Sequence, residues 1–375
     1  MDSFGSNCCC IWRCLQIDVT APITRVFLTL KVENAGTSEV SEVLLAFPPT
    51  EAEHLAILKA SVAEGKRKKK TYVPLSVNPS ESPDAPNGAR LYSVSLRSPL
   101  KSGEATTVEA FYVLTHLLEP FPAEISQSEA QLVYYRDSAT LLSPYHIVEQ
   151  ITSIKTPSNK VESFTSVDPT SRVGSELRYG PYHDHGPYSY SPVIVHFENN
   201  NPFAVVEELV REIEISHWGS LQIRDHYKLK HAGARHKGVF SRLVHEILRI
   251  ILTYLFHVHF QSELEIEPRY PLFGGWKATF TIGYGLPLQD FLFESHDGRR
   301  YLNFSFGCPL IETMVDDLTV KVSLIDQWFI ILSKNYFALL LQVILPEGSR
   351  NPTAAVPFPV DQHLEVVIST LKHSK

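Results

Sequence analysis

The stretch Arg25-Val26-Phe27-Leu28-Thr29-Leu30-Lys31-Val32 decides the fold class, because polar and apolar side chains alternate along most of it. Successive side chains of a β-strand point to opposite faces, so this alternation is typical of a strand with one buried face. Asn34-Ala35-Gly36 then marks a turn, and Val40–Phe47 continues as a second strand. The sequence therefore predicts a β-rich fold from Asp18 onward.

The same strand pattern recurs farther along the chain. Further predicted strands, which share alternating or β-branched residues, are Leu91–Leu96, Thr106–Thr115, Val193–Phe197 and Phe203–Ile215. Glu51–Val62 is a short helix or an irregular segment. Pro outnumbers Gly by 25 to 18, which favours strands joined by rigid turns over a helical bundle. We predict a mainly β fold with two β-sandwich-like domains.

The length of 375 residues suits two or three domains. We place a boundary where the long strand that begins at Phe203 follows the Asn199-Asn200-Asn201-Pro202 turn. The predicted parts are an atypical N-terminus at 1–17, a first β-rich domain at 18–205, a second at 206–365 and an atypical C-terminus at 366–375.

Two apolar segments interrupt the second domain, at Val244–Gln261 and Ser323–Gln342. Each approaches the roughly 20 residues of a membrane helix. Asp326 and Lys334 lie inside the second segment, and a charge at mid-helix costs roughly 2.5–3.5 kcal/mol on insertion scales. We therefore predict buried or surface-lying helices at these inserts rather than membrane spans.

The net charge of −7 disfavours nucleic-acid binding, for which a basic domain is typical. The basic run Gly65–Lys70 could serve nuclear import or contact an anionic lipid, and a solvated hairpin tip is the interpretation that we favour. Met1–Gln16 lacks the basic start and the apolar stretch of about 7–15 residues of a secretory signal. The chain is then either cytosolic or its true start lies upstream.

Four of the five cysteines cluster near the N-terminus, at Cys8, Cys9, Cys10 and Cys14, and Cys308 stands apart. No matching second pair of ligands creates the spacing of a zinc site, and the cysteine density is too low for a disulfide-stapled domain. Metal binding and acylation are alternatives at this cluster, and a mobile terminus is the prediction.

Histidine pairs are the strongest candidates for metal chemistry. His183-Asp184-His185 and His257-Val258-His259 each offer two imidazoles, but neither has a third ligand at a recognisable spacing. The sequence contains no nucleophile elbow, no His-Glu-x-x-His motif and no phosphate loop. We predict no catalytic, cofactor-binding or metal-binding residues.

Three further motifs have structural interpretations. Gly274-Gly275 predicts a tight turn or close backbone packing. Asp316-Asp317, as neighbours on a strand, would point to opposite faces and would not converge on one substrate. Asn303-Phe304-Ser305 is a usable N-glycosylation sequon and makes Asn303 a possible acceptor.

Several long strings resemble ribophorin I, in order and in rough spacing. They are Ile125-Ser126-Gln127-Ser128-Glu129, Tyr179-Gly180-Pro181-Tyr182, His196-Phe197-Glu198-Asn199-Asn200, Ile215-Ser216-His217-Trp218-Gly219, Leu229-Lys230-His231-Ala232-Gly233-Ala234, Glu267-Pro268-Arg269-Tyr270-Pro271-Leu272-Phe273-Gly274-Gly275-Trp276-Lys277, Asp317-Leu318-Thr319-Val320-Lys321-Val322 and Leu345-Pro346-Glu347-Gly348. The resemblance covers roughly residues 18–243, 262–322 and 343–365.

The resemblance implies a non-catalytic subunit of the oligosaccharyltransferase, which moves a preassembled oligosaccharide from dolichyl diphosphate to Asn in Asn-x-Ser/Thr of nascent polypeptides. It implies a lumenal β-rich module at the endoplasmic reticulum membrane. The implied partners are the other subunits, including the catalytic one, the translocon and nascent chains. No cofactor and no catalytic residue is carried over. The alternatives are a soluble β-sandwich hydrolase or peptidase and a secreted binding module.

The sequence also departs from the family pattern. The resemblance implies a signal peptide, a C-terminal membrane anchor and a cytosolic tail in relatives, and from the sequence pattern we expect none of the three within residues 1–375. The two inserts stand where relatives are expected to continue without them or to be more polar. Our hypothesis is that they derive from retained introns, a frameshift or an error in the gene prediction, and the spliced transcript would decide it.

Overall fold

The computed structural model describes residues 8–64, 71–216, 219–239, 254–258, 262–266, 270–294, 300–302, 304–305, 307–311, 313–324, 329–331 and 339–344. Across these residues the chain is built from strands, with one four-residue helix, Pro49–Ala52, and one 3-10 turn, Leu288–Asp290. The prediction of a mainly β fold is confirmed.

The strands before residue 240 are β1 Cys8–Asp18, β2 Thr24–Asn34, β3 Val40–Phe47, β4 Leu55–Glu64, β5 Thr71–Leu75, β6 Val77–Ser80, β7 Arg90–Leu100, β8 Ala105–Leu114, β9 Leu118–Pro120, β10 Glu124–Ile125, β11 Leu132–Ser138, β12 His146–Lys155, β13 Val161–Phe164, β14 Thr170–Val173, β15 Glu176–His185, β16 Pro192–Glu198, β17 Ala204–Ile215, β18 Ser220–His231 and β19 Arg235–His236.

The later strands are β20 Tyr254–Val258, β21 Ser262–Ile266, β22 Lys277–Pro287, β23 Leu292–Glu294, β24 Arg300–Leu302, β25 Met314–Val315, β26 Leu318–Leu324, β27 Phe329–Ile331 and β28 Leu339–Ile344. Each strand predicted from alternation is present. The segment Glu51–Val62 holds the end of the short helix and most of β4.

Contacts divide the chain into two compact units. The first comprises Met1–Phe203, Ala232–Ile250 and Phe273–Gly275, and the second comprises Ala204–His231, Ile251–Leu272 and Trp276–Lys375. The units are discontinuous in sequence, whereas the predicted domains were continuous. The predicted limits at 205 and 206 stay a prediction.

The first unit contains an eight-stranded sheet in the order β14-β15-β12-β1-β2-β8-β4-β5. A four-stranded sheet, β13-β16-β11-β9, and a three-stranded sheet, β3-β7-β6, contribute to the same apolar core. β2 shows how a strand contributes to this core. Its residues Val26, Leu28, Leu30 and Val32 are each at most 2% exposed and alternate with more exposed neighbours. Burial of such side chains contributes about 1.5–3 kcal/mol each.

The predicted mobile N-terminus is wrong from Cys8 onward. β1 pairs with β2 on one side and β12 on the other, so it is an interior strand of the eight-stranded sheet. Leu15 and Ile17 are buried in the core. The alternation of apolar and polar residues after the cysteine cluster places these two side chains against the core and docks the segment.

The second unit contains a six-stranded sheet, in which β22-β18-β17-β26-β28 follow in order and β25 pairs with β17. A β-bulge between Val206 and Glu208 shifts the register of β17 against β18. The extra residue changes which side chains face inward, and Leu209 therefore continues the buried row that Val206 begins.

The predicted helices at the two inserts are wrong wherever the structure describes them. Tyr254–Val258, Phe329–Ile331 and Leu339–Ile344 are strands, and the remaining parts lie outside the described residues except at β26. Tyr254–Val258 and Phe329–Ile331 are rich in aromatic and β-branched residues, which favour strands. Leu339–Ile344 pairs with β26. Among the described residues no helix is long and apolar enough to cross a membrane.

Candidate functional site

A buried ion pair occupies the middle of the second unit's sheet. Arg211 on β17 lies directly opposite Asp225 on β18. Their side chains are 2% and 0% exposed. Apolar side chains lie on either side of the pair, with Leu209 and Tyr227 in one cluster and Ile213 in the other. The charges therefore stand within the inward-facing row that forms the core.

The Arg211 guanidinium uses all of its donor groups. Its Nε donates to Asp225 Oδ1 at 2.8 Å, and its Nη2 donates to Asp225 Oδ2 at 3.2 Å and to the Tyr284 hydroxyl at 2.9 Å. Its Nη1 donates to the carbonyl oxygens of Ser305, at 3.1 Å, and of Gly307. Five N–H groups thus have acceptors, which is the full capacity of arginine.

This arrangement is suited to structure rather than to reaction. Burial disfavours the charge on Arg211, but Asp225, Tyr284 and Tyr227 together outweigh it and the pKa of the guanidinium is raised. Nearby, burial raises the pKa of the Cys308 thiol to about 12, so the thiol remains protonated at neutral pH. The pair ties β17, β18 and β22 to the segment at 304–308 and leaves no donor for a substrate.

A pair of carboxyl groups lies inside the first unit. Glu51 belongs to the short helix, Asp137 belongs to β11, and the two side chains are hydrogen-bonded to each other. Burial raises the pKa of Glu51 well above its usual range, and Asp137 adds to the rise. Burial also raises the pKa of Asp137. Two adjacent buried carboxylates repel each other, so the pair holds a proton.

Neighbouring donors hold the Asp137 carboxylate. The Tyr135 hydroxyl donates to Asp137 Oδ2, and the Ser138 amide donates to Asp137 Oδ1 at 2.7 Å. Both oxygens of the Asp137 carboxylate therefore accept hydrogen bonds from neighbouring groups of the protein. A cavity elsewhere in the first unit, which Arg13 and Tyr112 help to line, measures about 10 Å³, a volume that accommodates about one water molecule.

The two histidines of His183-Asp184-His185 do not converge. Asp184 Oδ1 lies 2.8 Å from His146 Nε2 across the sheet, while His183 lies opposite Glu149. The His185 ring packs edge-on against Tyr182. In the part of the chain that the structure describes, no group of three His, Cys, Asp or Glu side chains could hold a metal ion.

The Gly274-Gly275 pair forms the predicted tight turn. Gly275 has a φ of +82°, and a Cβ at Gly274 would lie 1.7 Å from the carbonyl oxygen of Ala234. Glycine is required where backbones approach so closely. Trp276 packs partly buried against the second unit's core.

Asp316 and Asp317 lie in the bend between β25 and β26 rather than within a strand. The Asp316 amide donates to the carbonyl oxygen of Val206, and the carbonyl oxygen of Asp317 accepts from the Leu209 amide. Both backbone contacts hold the bend to β17, and both side chains are exposed.

Several predicted positions lie outside the described residues. They are Asn303, His259, the basic run Gly65–Lys70 and the side chains of His257, Cys8, Cys9 and Cys10. β4 and β5, which flank the basic run, pair in antiparallel register.

The comparison with protein families decides the identity. The family model described as Ribophorin I matches residues 15–249 and 250–327. The chain belongs to the ribophorin I family. The family resemblance seen in the short strings is thereby confirmed, and the match extends through the first apolar insert.

Curated relatives agree with the ribophorin I assignment. A rice protein (Oryza sativa subsp. japonica) named dolichyl-diphosphooligosaccharide–protein glycosyltransferase subunit 1B is 59% identical, over 95% of this chain and 77% of the relative. The Arabidopsis thaliana protein of the same name is 53% identical, over 95% of this chain and 79% of the relative.

A solved M1 zinc metallopeptidase from Deinococcus radiodurans is 13% identical and covers 56% of this chain and 48% of its own, with a TM-score of 0.28. A likeness at that level supports no inference about a ribophorin I chain.

Sequence reasoning missed the buried charges of this ribophorin I chain. A signal was present in the sequence. Arg211 interrupts the apolar row that Leu209 and Ile213 form on β17, and Asp225 interrupts the apolar row of β18. A charge at an inward-facing position of a regular strand indicates a buried partner, since an unpaired buried charge is costly. Asp137 follows the buried residues Val133 and Tyr135 at alternate positions of β11, but Glu51 lies in the short helix, where no alternation marks it as a partner.

Proposed function

We propose that this chain is a non-catalytic subunit of the oligosaccharyltransferase. That complex transfers a preassembled oligosaccharide from dolichyl diphosphate to Asn in Asn-x-Ser/Thr motifs of nascent polypeptides. The observation that carries the proposal is the 59% identity, over 95% of this chain, to a relative named as subunit 1B of that glycosyltransferase. The alternatives, a soluble hydrolase and a secreted binding module, have no comparable support.

The accessory role is supported by how the polar interior is used. Arg211 donates its hydrogen bonds to Asp225, Tyr284 and two backbone carbonyl oxygens, and the Glu51 and Asp137 side chains are hydrogen-bonded to each other. Groups that are consumed by internal hydrogen bonds are not available to polarise a substrate. The chain then contributes surface and rigidity, and bond chemistry belongs to another subunit.

Co-purification tests membership in the complex. A tagged chain, solubilised from plant cell membranes in a mild detergent, is expected to recover the catalytic oligosaccharyltransferase subunit. The matched control is an equally abundant tagged lumenal protein. Recovery of the chain alone, as a soluble protein, would contradict the proposal.

An activity assay tests the accessory role separately. The purified chain, given a dolichyl-linked oligosaccharide and an Asn-x-Thr peptide, is expected to transfer nothing, and to restore transfer when it is added to a complex depleted of it. Transfer by the chain alone would show that it is an enzyme.

The proposal includes a lumenal location at the endoplasmic reticulum membrane, with the other subunits, the translocon and nascent chains as neighbours. The sequon Asn303-Phe304-Ser305 supports it, and Asn303 is proposed as an acceptor. An endoglycosidase-sensitive mobility shift is expected for the chain in cells, and Asn303→Gln is expected to abolish it. A shift that persists in this variant would exclude Asn303 as the acceptor.

A further inference from the structure

Three aromatic rings pack together on the outer face of the first unit's four-stranded sheet. We name Phe121, Tyr134 and His196 the aromatic platform. The ring centroids of Phe121 and Tyr134 are 4.9 Å apart and stacked, and those of Tyr134 and His196 are 4.3 Å apart. Strand register places Tyr134 opposite His196 on one side and opposite Glu119 on the other.

The platform is held in place by backbone contacts. The Phe121 amide donates to the carbonyl oxygen of Leu132 at 2.9 Å, and the Phe121 carbonyl oxygen lies 3.1 Å from His196 Nε2. The Arg136 guanidinium lies 5.7 Å from the centre of the Tyr134 ring. A surface fixed in this way loses little conformational freedom when a ligand binds.

Phe121 is the exposed member of the platform. It is 52% exposed, whereas Tyr134 and His196 are half-buried. A single exposed apolar residue is ordinary, but Phe121 packs against two further rings and is held by backbone contacts. The exposed part of its ring is aromatic surface that lies outside the first unit's core.

Polar groups surround the rings and their charges balance. Arg136 and Glu119 form an ion pair at 3.3 Å, with side chains 58% and 61% exposed. Ser163, which is exposed, lies opposite His196 in register, and Thr165 follows on the same edge. The rim thus offers donors and acceptors without net charge, which complements a neutral ligand rich in hydroxyl groups.

We propose that the aromatic platform binds a neutral sugar ring of gluco configuration, such as glucose or N-acetylglucosamine. In such a pyranose the substituents are equatorial, so each face presents only C–H groups. Their partial positive charge suits the negative face of an aromatic ring, while the sugar's hydroxyl groups meet the polar rim. Polar residues border the rings directly, so the aromatic surface is small. A stable protein interface needs about 800 Å² on each partner, and we therefore favour a small ligand over a protein.

This site would let an accessory subunit hold an oligosaccharide near the complex, and only that biological meaning rests on the proposed function. The binding itself is a property of the isolated chain. It can therefore be measured whether or not the chain assembles with other subunits.

Saturation-transfer NMR on the purified full chain tests the proposal, with N,N′-diacetylchitobiose and cellobiose as probes and lactose, which differs from cellobiose by one axial hydroxyl, as the comparison. We expect saturable binding of the two probes and weaker binding of lactose, and equal binding of lactose and cellobiose would contradict the preference for the gluco configuration. Phe121→Ala and Tyr134→Ala should each weaken binding of the two probes about two- to tenfold, since a ring contact contributes about 0.5–1.5 kcal/mol. Tyr134→Phe, which keeps the ring, should retain it.

Phe27→Ala is the matched control. Phe27 is 49% exposed on the eight-stranded sheet and its ring lies 5.0 Å from that of Phe111, so it is an exposed phenylalanine that packs against a second ring outside the platform. Circular dichroism of each variant shows that the fold is kept. Absence of binding by the wild-type chain, or equal weakening by Phe27→Ala, would overturn the proposal.

Co-purification of the same variants separates the two proposals. Phe121→Ala is expected to assemble as the wild-type chain does. If this variant keeps its sugar affinity but loses the other subunits, the platform is a protein contact and the sugar proposal is wrong. If the wild-type chain binds sugar but does not assemble, only the proposed function fails.

Discussion

Arg211 and Asp225 should respond asymmetrically to substitution. Arg211→Met leaves the Asp225 carboxylate buried beside apolar side chains, and breaking a buried pair in this way costs about 3–5 kcal/mol in free energy of unfolding. The double variant Arg211→Met/Asp225→Leu removes both charges and should recover part of the loss. Urea denaturation measures the difference.

Arg224→Met is the control for that experiment. Arg224 neighbours Asp225 in sequence, but its side chain is 64% exposed. Its ion pair with Glu212, at 3.8 Å, is therefore a surface pair. An exposed pair contributes about 0–1 kcal/mol, so little change is expected. A double variant that is less stable than Arg211→Met would show that the guanidinium's other contacts, to Tyr284 and the 304–308 segment, dominate the stability of this region.

Glu51 should make the stability of the first unit depend on pH. Its pKa is raised by burial and by Asp137, so the folded chain keeps a proton that the unfolded chain releases above the usual carboxyl value of about 4.3. The unfolded state then binds fewer protons, and the free energy of unfolding falls as pH rises until the folded pKa is passed. The stabilising contribution is thus fully present only in acid.

Glu51→Gln should remove the fall in free energy of unfolding with rising pH, because the glutamine amide donates a hydrogen bond to Asp137 and does not titrate. We expect the variant to be more stable than the wild-type chain at pH 7 and equal to it near pH 4, measured by thermal melting across this range. Glu53→Gln, an exposed change two residues away, should follow the wild-type profile. Parallel profiles for Glu51→Gln and wild type would show that Glu51 is ionised in the folded chain.

Residues of this kind mark the limit of what the sequence predicts. Alternation identified the inward face of β2 and β17, and the Gly274-Gly275 turn followed from the conformational freedom of glycine. The Glu51–Asp137 contact could not be predicted, since it joins a helix to a strand 86 positions farther along, and only the folded topology brings them together.

At the scale of single elements, β1 offers the sharpest test, because it was expected to be mobile. Ile17 is 1% exposed in the core, and Gln16 beside it is exposed. Ile17→Ala should cost about 2–5 kcal/mol in free energy of unfolding. Gln16→Ala should change it by less than about 0.5 kcal/mol. Small and equal effects in chemical denaturation would mean that the strand is not docked.

The strands and the inserts differ in how far local pattern determines them. β3 and β16 were predictable, because each is a short run rich in apolar residues with turn signals at its ends. Tyr254–Val258 and Leu339–Ile344 were mistaken for helix because a continuous apolar run has no period of its own. Pairing decides such a run: β28 lies parallel to β26, a neighbour that the sequence pattern alone does not disclose.

At the scale of the whole molecule, the two units have separate buried cores, and this should be visible in hydrogen exchange. Ile17 belongs to the core of the first unit, and Arg211 interrupts that of the second. Variants that share no partners act independently, and exchange reports the stability of each cooperative region. Ile17→Ala should therefore lower amide protection in β2 and β8 but not in β18, whereas Arg211→Met should do the reverse. Loss of protection in all three strands from either variant would show that the chain unfolds as one cooperative body, and the division into units would then describe contacts but not energetics.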